Sequence, residues 1–192
     1  MMRGGALSSI PGGALHYHEP GVWWVRALVA AARNDPAEVR RSAVRFAEAG
    51  ARARGAAWDV SCGAAGLLLG CAQLVESLRD PVVLGPVRAA GEGLAAALDC
   101  AEDAVDAGRD SASLCYGRAG QGFAALTLYR VTGERRWLTA AHRLDADAVR
   151  AAANEEASAH QLFAGQLGVM LLAVELADPA GAAMPVYEAI GG

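Results

Sequence analysis

The stretch Ser113-Leu114-Cys115-Tyr116-Gly117-Arg118-Ala119-Gly120 decides the fold. A thiol stands just before a Gly-x-x-Gly turn, and the apolar run Gln121 to Val131 follows it directly. The same pattern recurs at Gly63-Ala64-Ala65-Gly66, with Cys62 in front of it, and at Gly165-Gln166-Leu167-Gly168. His18-Glu19-Pro20-Gly21 is a degenerate first copy. The last glycines lie 45, 54 and 48 residues apart, which is the signature of a repeated supersecondary unit.

Working outward, each turn leads into a nearly all-apolar run, as expected of a helix buried on most sides. In the first unit this run is Val22 to Ala32, with Trp23 and Trp24 read as core. In the second it is Leu67 to Val75, and in the fourth Val169 to Ala177. An amphipathic segment follows in the first three units. Asp35-Pro36 combines an N-cap with a proline suited to the first helical position. The helix it starts carries Val39, Ala43, Phe46 and Ala47 on one face, opposite Arg40, Arg41, Arg45, Glu48 and Arg52. Asp80-Pro81 restarts the second unit, and the helix it begins runs to about Leu98, with Gly85-Pro86 leaving its first turn undefined. Thr132-Gly133 caps the third apolar run, and from Glu134 onward Trp137, Ala141, Leu144 and Ala148 form one stripe. Turn glycine and outer-helix start are separated by 14 residues in all three units, which predicts one hairpin design used repeatedly. The expected architecture is all-α: about four helical hairpins in an α/α toroid, with an apolar inner and an amphipathic outer layer. Residues 1–15 show no periodicity and read as a leader; 16–192 read as the domain.

Composition agrees with helices. The chain of 192 residues is 54% hydrophobic with 6% aromatics, so small side chains and close packing dominate. All 17 basic residues are Arg, the net charge is -4, and there is no basic block, which argues against nucleic acid as a partner. No apolar run is long enough for a bilayer and the first residues lack a secretory pattern, so a cytoplasmic protein is expected. In that compartment four cysteines read as thiols or metal ligands rather than disulfides.

The third and fourth units resemble the C-terminal repeats of the lanthionine synthetase C-like (LanC-like) family. The resemblance lies in Ser113 to Gly120, Leu128 to Glu134, Trp137-Leu138 and Leu162-Phe163-Ala164-Gly165-Gln166-Leu167-Gly168. It extends to Asp178-Pro179 and Pro185-Val186-Tyr187-Glu188; residues 16–110 match chiefly in repeat form, with Trp58 and Cys62 as landmarks. It implies a seven-hairpin α/α toroid in which zinc at the mouth activates a cysteine of a precursor peptide. The thiolate then adds to a dehydroalanine or dehydrobutyrine, closing a thioether ring. By resemblance Cys115 holds a zinc-ligand position, with Cys62 one residue beyond the other cysteine position, which Ser61 holds. His160, five residues before Gly165, or His18 is a candidate third ligand, and His18 is also a candidate proton donor flanking the family's acid/base position at Tyr17. Tyr116 stands where the family has histidine. Two readings follow: a cyclase-type domain or subunit with zinc as cofactor, or a non-catalytic module that binds a precursor peptide or a partner synthetase. Four hairpins are fewer than seven, and open inner edges would be wet, so a partner chain, self-association or a truncated relative is expected. Cys71, Cys100 and His142 read as packing or surface residues, and the acidic segment Asp99 to Asp110 as a surface linker.

Overall fold

Each apolar helix starts one residue after the first position of its turn, three residues earlier than the glycine spacing predicts. The computed structural model describes residues 15–16, 18–52, 58–78, 80–100, 111–154 and 161–185. Seven helices and no strand occur among the described residues: α1 (Glu19–Ala32), α2 (Pro36–Arg52), α3 (Ala64–Ser77), α4 (Pro81–Cys100), α5 (Arg118–Thr132), α6 (Arg135–Asn154) and α7 (Gln166–Glu175). The N-caps of α1, α3, α5 and α7 are His18, Gly63, Gly117 and Gly165, all in extended conformation with φ of -134°, -125°, -127° and -129°.

The second glycine of each turn is therefore a residue of the helix, and its reason is steric. A Cβ at Gly66 would lie 2.0 Å from the Val60 carbonyl oxygen, and one at Gly120 would lie 2.1 Å from that of Leu114. In every unit the chain folds back over its own helix so that the residue six positions earlier rests on this glycine. These residues are Leu15, Val60, Leu114 and Leu162, over Gly21, Gly66, Gly120 and Gly168. Their side chains link the units in sequence. Leu15 Cβ approaches Gly66, Val60 Cγ2 approaches Gly120, and Leu114 Cβ approaches Gly168. Leu15, at the last position of the sequence-defined leader, is thus a buried core residue; residues 1–14 lie outside the described set.

The helices form two layers. α1, α3, α5 and α7 pack side by side in chain order, α2 covers α1 and α4 covers α3. α6 covers α5, and α2 also packs on α4. The inner helices α3 and α5 are buried almost throughout, as their unbroken apolar sequences require. The outer helices bury one stripe each. Val39, Ala43, Phe46 and Ala47 of α2 are buried while its arginines face solvent, and Trp137, Ala141, Leu144 and Ala148 do the same for α6. Phe46 is fully buried, with its ring tip 2.9 Å from where a Gly70 Cβ would be, so an aromatic on the outer layer fills the gap left by a glycine on the inner one.

Local signals act as expected at the helix ends. The Asp35 carboxylate accepts the Glu38 N–H at 3.1 Å, while the Glu38 side chain turns to Arg26, Arg41 and Ser42 instead of closing a capping box. Asp80 likewise accepts the Val82 N–H at 2.9 Å. Gly133 takes φ +72° and donates to the Tyr129 carbonyl, ending α5. Pro86 does not break α4; it is exposed, so the carbonyl it leaves without a helical donor can turn to water. Trp24 is core, but Trp23 is only half-buried, donating to Glu19 at 2.8 Å and lying under the Arg26 guanidinium. No helix among the described residues is long and apolar enough to cross a membrane.

Candidate functional site

Side-by-side packing of the inner helices gathers the turns at their N-terminal ends. A thread of main-chain hydrogen bonds crosses these turns five to six residues before the last glycine. The Cys115 N–H donates to the Phe163 carbonyl at 2.9 Å. The Cys115 carbonyl in turn accepts the Val60 and Ser61 N–H groups, both at 3.0 Å. The third turn is thereby held between the second and fourth, with Cys115 fixed on both sides and its side chain half-buried.

Within the third turn, hydroxyls do the shaping. Ser113 Oγ accepts the Tyr116 N–H at 3.2 Å, and Ser111 Oγ accepts the Ser113 N–H at 3.3 Å. Gly117, Arg118 and Ala119 N–H groups donate to the Ser113, Ser111 and Ala112 carbonyls. The first donors of α5 are therefore engaged inside the turn. In the second turn the Asp59 carboxylate accepts the Cys62 N–H from the position equivalent to Ser113. Asp59, Ser61 and Ser113 are buried, an arrangement that burial permits only because such polar groups are bonded. Arg118, also buried, brings a guanidinium to the same end of the molecule.

The sequence candidates divide as follows. Cys62 and Cys115 lie in adjacent turns and are half-buried thiols, neither in a disulfide. Cys62 is one residue beyond Ser61, the residue on the hydrogen-bonded thread. His18 caps α1 in the first turn, and its Nε2 is buried without a hydrogen-bond partner. His16 is exposed as a residue, yet local desolvation of its ring holds its pKa below the ordinary imidazole value. Tyr116 is half-buried beside Cys115. His160 and the Glu155-Glu156 pair lie outside the described residues, as do Tyr17 and residues 101–110 of the acidic segment. His142 is at the surface, as expected. Cys71 packs against Gly91 of α4, and burial pushes its thiol up to about 12, which removes it from thiol chemistry.

Among the described residues no three His, Cys, Asp or Glu side chains converge on a point that would hold a metal ion. Two turn thiols fall short of the three protein ligands usual for catalytic zinc, so the described donor set does not by itself fit that ion. A separate cleft of about 630 Å³ opens on the flank, between α3–α4 and α5–α6, lined by Leu68, Cys71, Val87, Leu128 and Trp137 with Arg88 beside them. Apart from Glu134, in the link from α5 to α6, its lining lies within the helices, and none comes from the glycine turns.

Sequence reading missed two classes of residue. Asp59 and Ser113 build the turns, and a short oxygen-bearing side chain three residues before the half-buried turn position was the available signal. Leu15, Val60, Leu114 and Leu162 seat the units on one another, and their constant distance of six from the last glycine was equally readable. No protein-family model matches the chain, and no curated protein matches it in sequence.

Proposed function

We propose that this chain is a LanC-like domain acting in thioether-peptide maturation, its hairpins belonging to an α/α toroid and its turn end meeting a precursor peptide. The observation that supports the reading is the fixing of Cys115 between two neighbouring turns, with Cys62 alongside, at the end where the quoted resemblance puts the family's chemistry. The reaction this implies is an isomerisation of the peptide. A peptide cysteine loses its proton, and its sulfur forms a bond to the β-carbon of a dehydroalanine or dehydrobutyrine. The alkene electron pair moves to the adjacent carbonyl as an enolate, and a proton returns at the α-carbon. In this chain His18 is the residue suited to deliver that proton, because its Nε2 is buried and has no other partner. Arg118 and the Tyr116 hydroxyl suit peptide carbonyls. No step is routed through zinc, because the described residues supply two thiols and His160 lies outside them.

A second reading, a module that holds a peptide or a partner synthetase without performing the addition, is favoured by Tyr116 in the place of the family's imidazole. A synthetic peptide carrying one cysteine and one dehydroalanine separates the two. Cyclase activity removes the peptide's alkylatable thiol at unchanged mass, and Cys115→Ala abolishes this. Binding by fluorescence anisotropy with no thiol loss supports the holding module, and neither binding nor thiol loss overturns both. Zinc content by mass spectrometry, on wild type and on Cys115→Ala, reads the ligand set independently of activity: a metal lost with Cys115 supports the first reading, and one retained counts against it.

A further inference from the structure

The two end helices of the inner layer, α1 and α7, expose the two halves of a contact that the chain buries between α5 and α7. Counted from the last glycine of each turn, positions +1, +4 and +8 are Val22, Val25 and Val29 in α1. In α7 the same positions are Val169, Leu172 and Leu176, all buried, and in α3 they are Leu67, Gly70 and Leu74, also buried. In α1 they are 57%, 49% and 41% exposed. The opposite face, at positions -1, +2 and +6, behaves in the reverse sense. It is buried in α3 as Ala65, Leu68 and Ala72 and in α5 as Ala119, Gly122 and Leu126. In α7 it is Leu167, Met170 and Val174, exposed by 42%, 62% and 66%.

The internal contact shows how the faces meet. A Cβ on Gly122, position +2 of α5, would lie 2.4 Å from Leu172 Cδ2, position +4 of α7. The -1/+2/+6 face of α5 therefore receives the +1/+4/+8 face of α7. The turns follow the same rule. Leu15, Val60 and Leu114 each cover the glycine of the following unit and are buried, whereas Leu162 has no such glycine beyond it and is only half-buried. Among the described residues, Gly21 correspondingly has only its own turn over it.

We propose that α7 of one copy of this chain seats on α1 of a second copy, head to tail, continuing the inner layer across the boundary. Met170 then faces Val25, and Leu162 covers the partner's Gly21. A second copy is the occupant the surface fits, because it carries both halves in the register that the α5–α7 contact already uses. The two faces are apolar and of opposite hand in the repeat, so a face does not fit itself and the contact is heterologous: it closes into a ring if the rotation allows and otherwise extends as a chain. The inference rests on packing register alone and stands apart from the proposed chemistry.

Sedimentation velocity and light scattering over a wide concentration range test it, using wild type, Val25→Glu and Met170→Glu. Both substituted side chains are exposed, so helicity by circular dichroism is expected to be unchanged and checks the fold. Wild type associates. Each variant alone is monomeric, with association weakened at least about tenfold. An equimolar mixture of the two forms a discrete 1:1 dimer, because one intact α7 face meets one intact α1 face and growth stops there. Wild type monomeric throughout overturns the proposal. So does either variant that still self-associates, since that requires a face to pair with itself, or a mixture that stays monomeric.

Discussion

In the second turn the Asp59 carboxylate accepts the N–H three residues on, at Cys62; in the third, the Ser113 hydroxyl accepts the corresponding N–H at Tyr116. Both acceptors are buried, and both turns contribute to the main-chain thread through Cys115. The fourth turn shares the thread through the Phe163 carbonyl but has the exposed Gln161 at the acceptor position and apolar Ala164 where Cys62 and Tyr116 stand. The backbone of the repeat is therefore generic, enforced by the glycine and the residue six before it. The two central turns carry both buried polar acceptors and both half-buried thiols.

The largest effect on that pair is expected at its glycines. Gly120→Ala drives a Cβ into the Leu114 carbonyl and into Val60, neither of which is the loose end of a flexible side chain, and it should cost about 4 kcal/mol. Gly66→Ala should cost a similar amount by the same contact with the Val60 carbonyl. Gly133→Ala, where φ is +72° and nothing lies within 4 Å, should cost about 1 kcal/mol from backbone conformation alone. Urea unfolding of the three variants checks the order; equal losses would show that close approach is not what these turn glycines provide.

Next come the locks. Ser113→Ala and Asp59→Ala each leave a turn N–H without its acceptor and should lose about 1–2 kcal/mol, while Gln161→Ala should stay within about 0.5 kcal/mol. A loss at Gln161 equal to the other two would erase the distinction between central and fourth turns. A smaller effect concerns the third thiol. Burial raises the Cys71 thiol from its ordinary 9.0 to about 12, so between those values the folded chain keeps a proton that the unfolded chain releases. Stability from this group is complete below pH 9 and falls as pH rises through that window, by about 1 kcal/mol near pH 10. The difference in unfolding free energy between wild type and Cys71→Ala, followed from pH 8 to pH 10, should change by that amount; a constant difference contradicts it.

Features written locally in the chain were legible in it: the Asp35 cap, the Gly133 terminator, the α2 and α6 stripes and the repeat itself. The helix starts were misplaced by three residues because the second glycine of the turn answers to a carbonyl folded over it, a contact that only the tertiary arrangement reveals. Cys62 and Cys115 were paired by their closeness to the turn, yet they differ by one position in register, so the thread passes through Ser61 and leaves Cys62 beside it. The unpartnered Nε2 of His18 depends on what surrounds the first turn, and no sequence pattern encodes it. Trp23 and Trp24, adjacent and identical in type, separate because a helix turns 100° per residue and carries one into the core and the other to its edge.

The claim that the two central turns are the peptide-handling end is tested most directly by the alkylation rates of Cys62, Cys115 and Cys71. The rates are measured by mass spectrometry with and without a saturating synthetic peptide bearing one cysteine blocked as its thioether and one dehydroalanine. The account predicts that near pH 8 Cys62 and Cys115 react and Cys71 does not, and that the peptide slows both turn thiols together by at least about tenfold. Bound peptide that leaves both rates unchanged would contradict it.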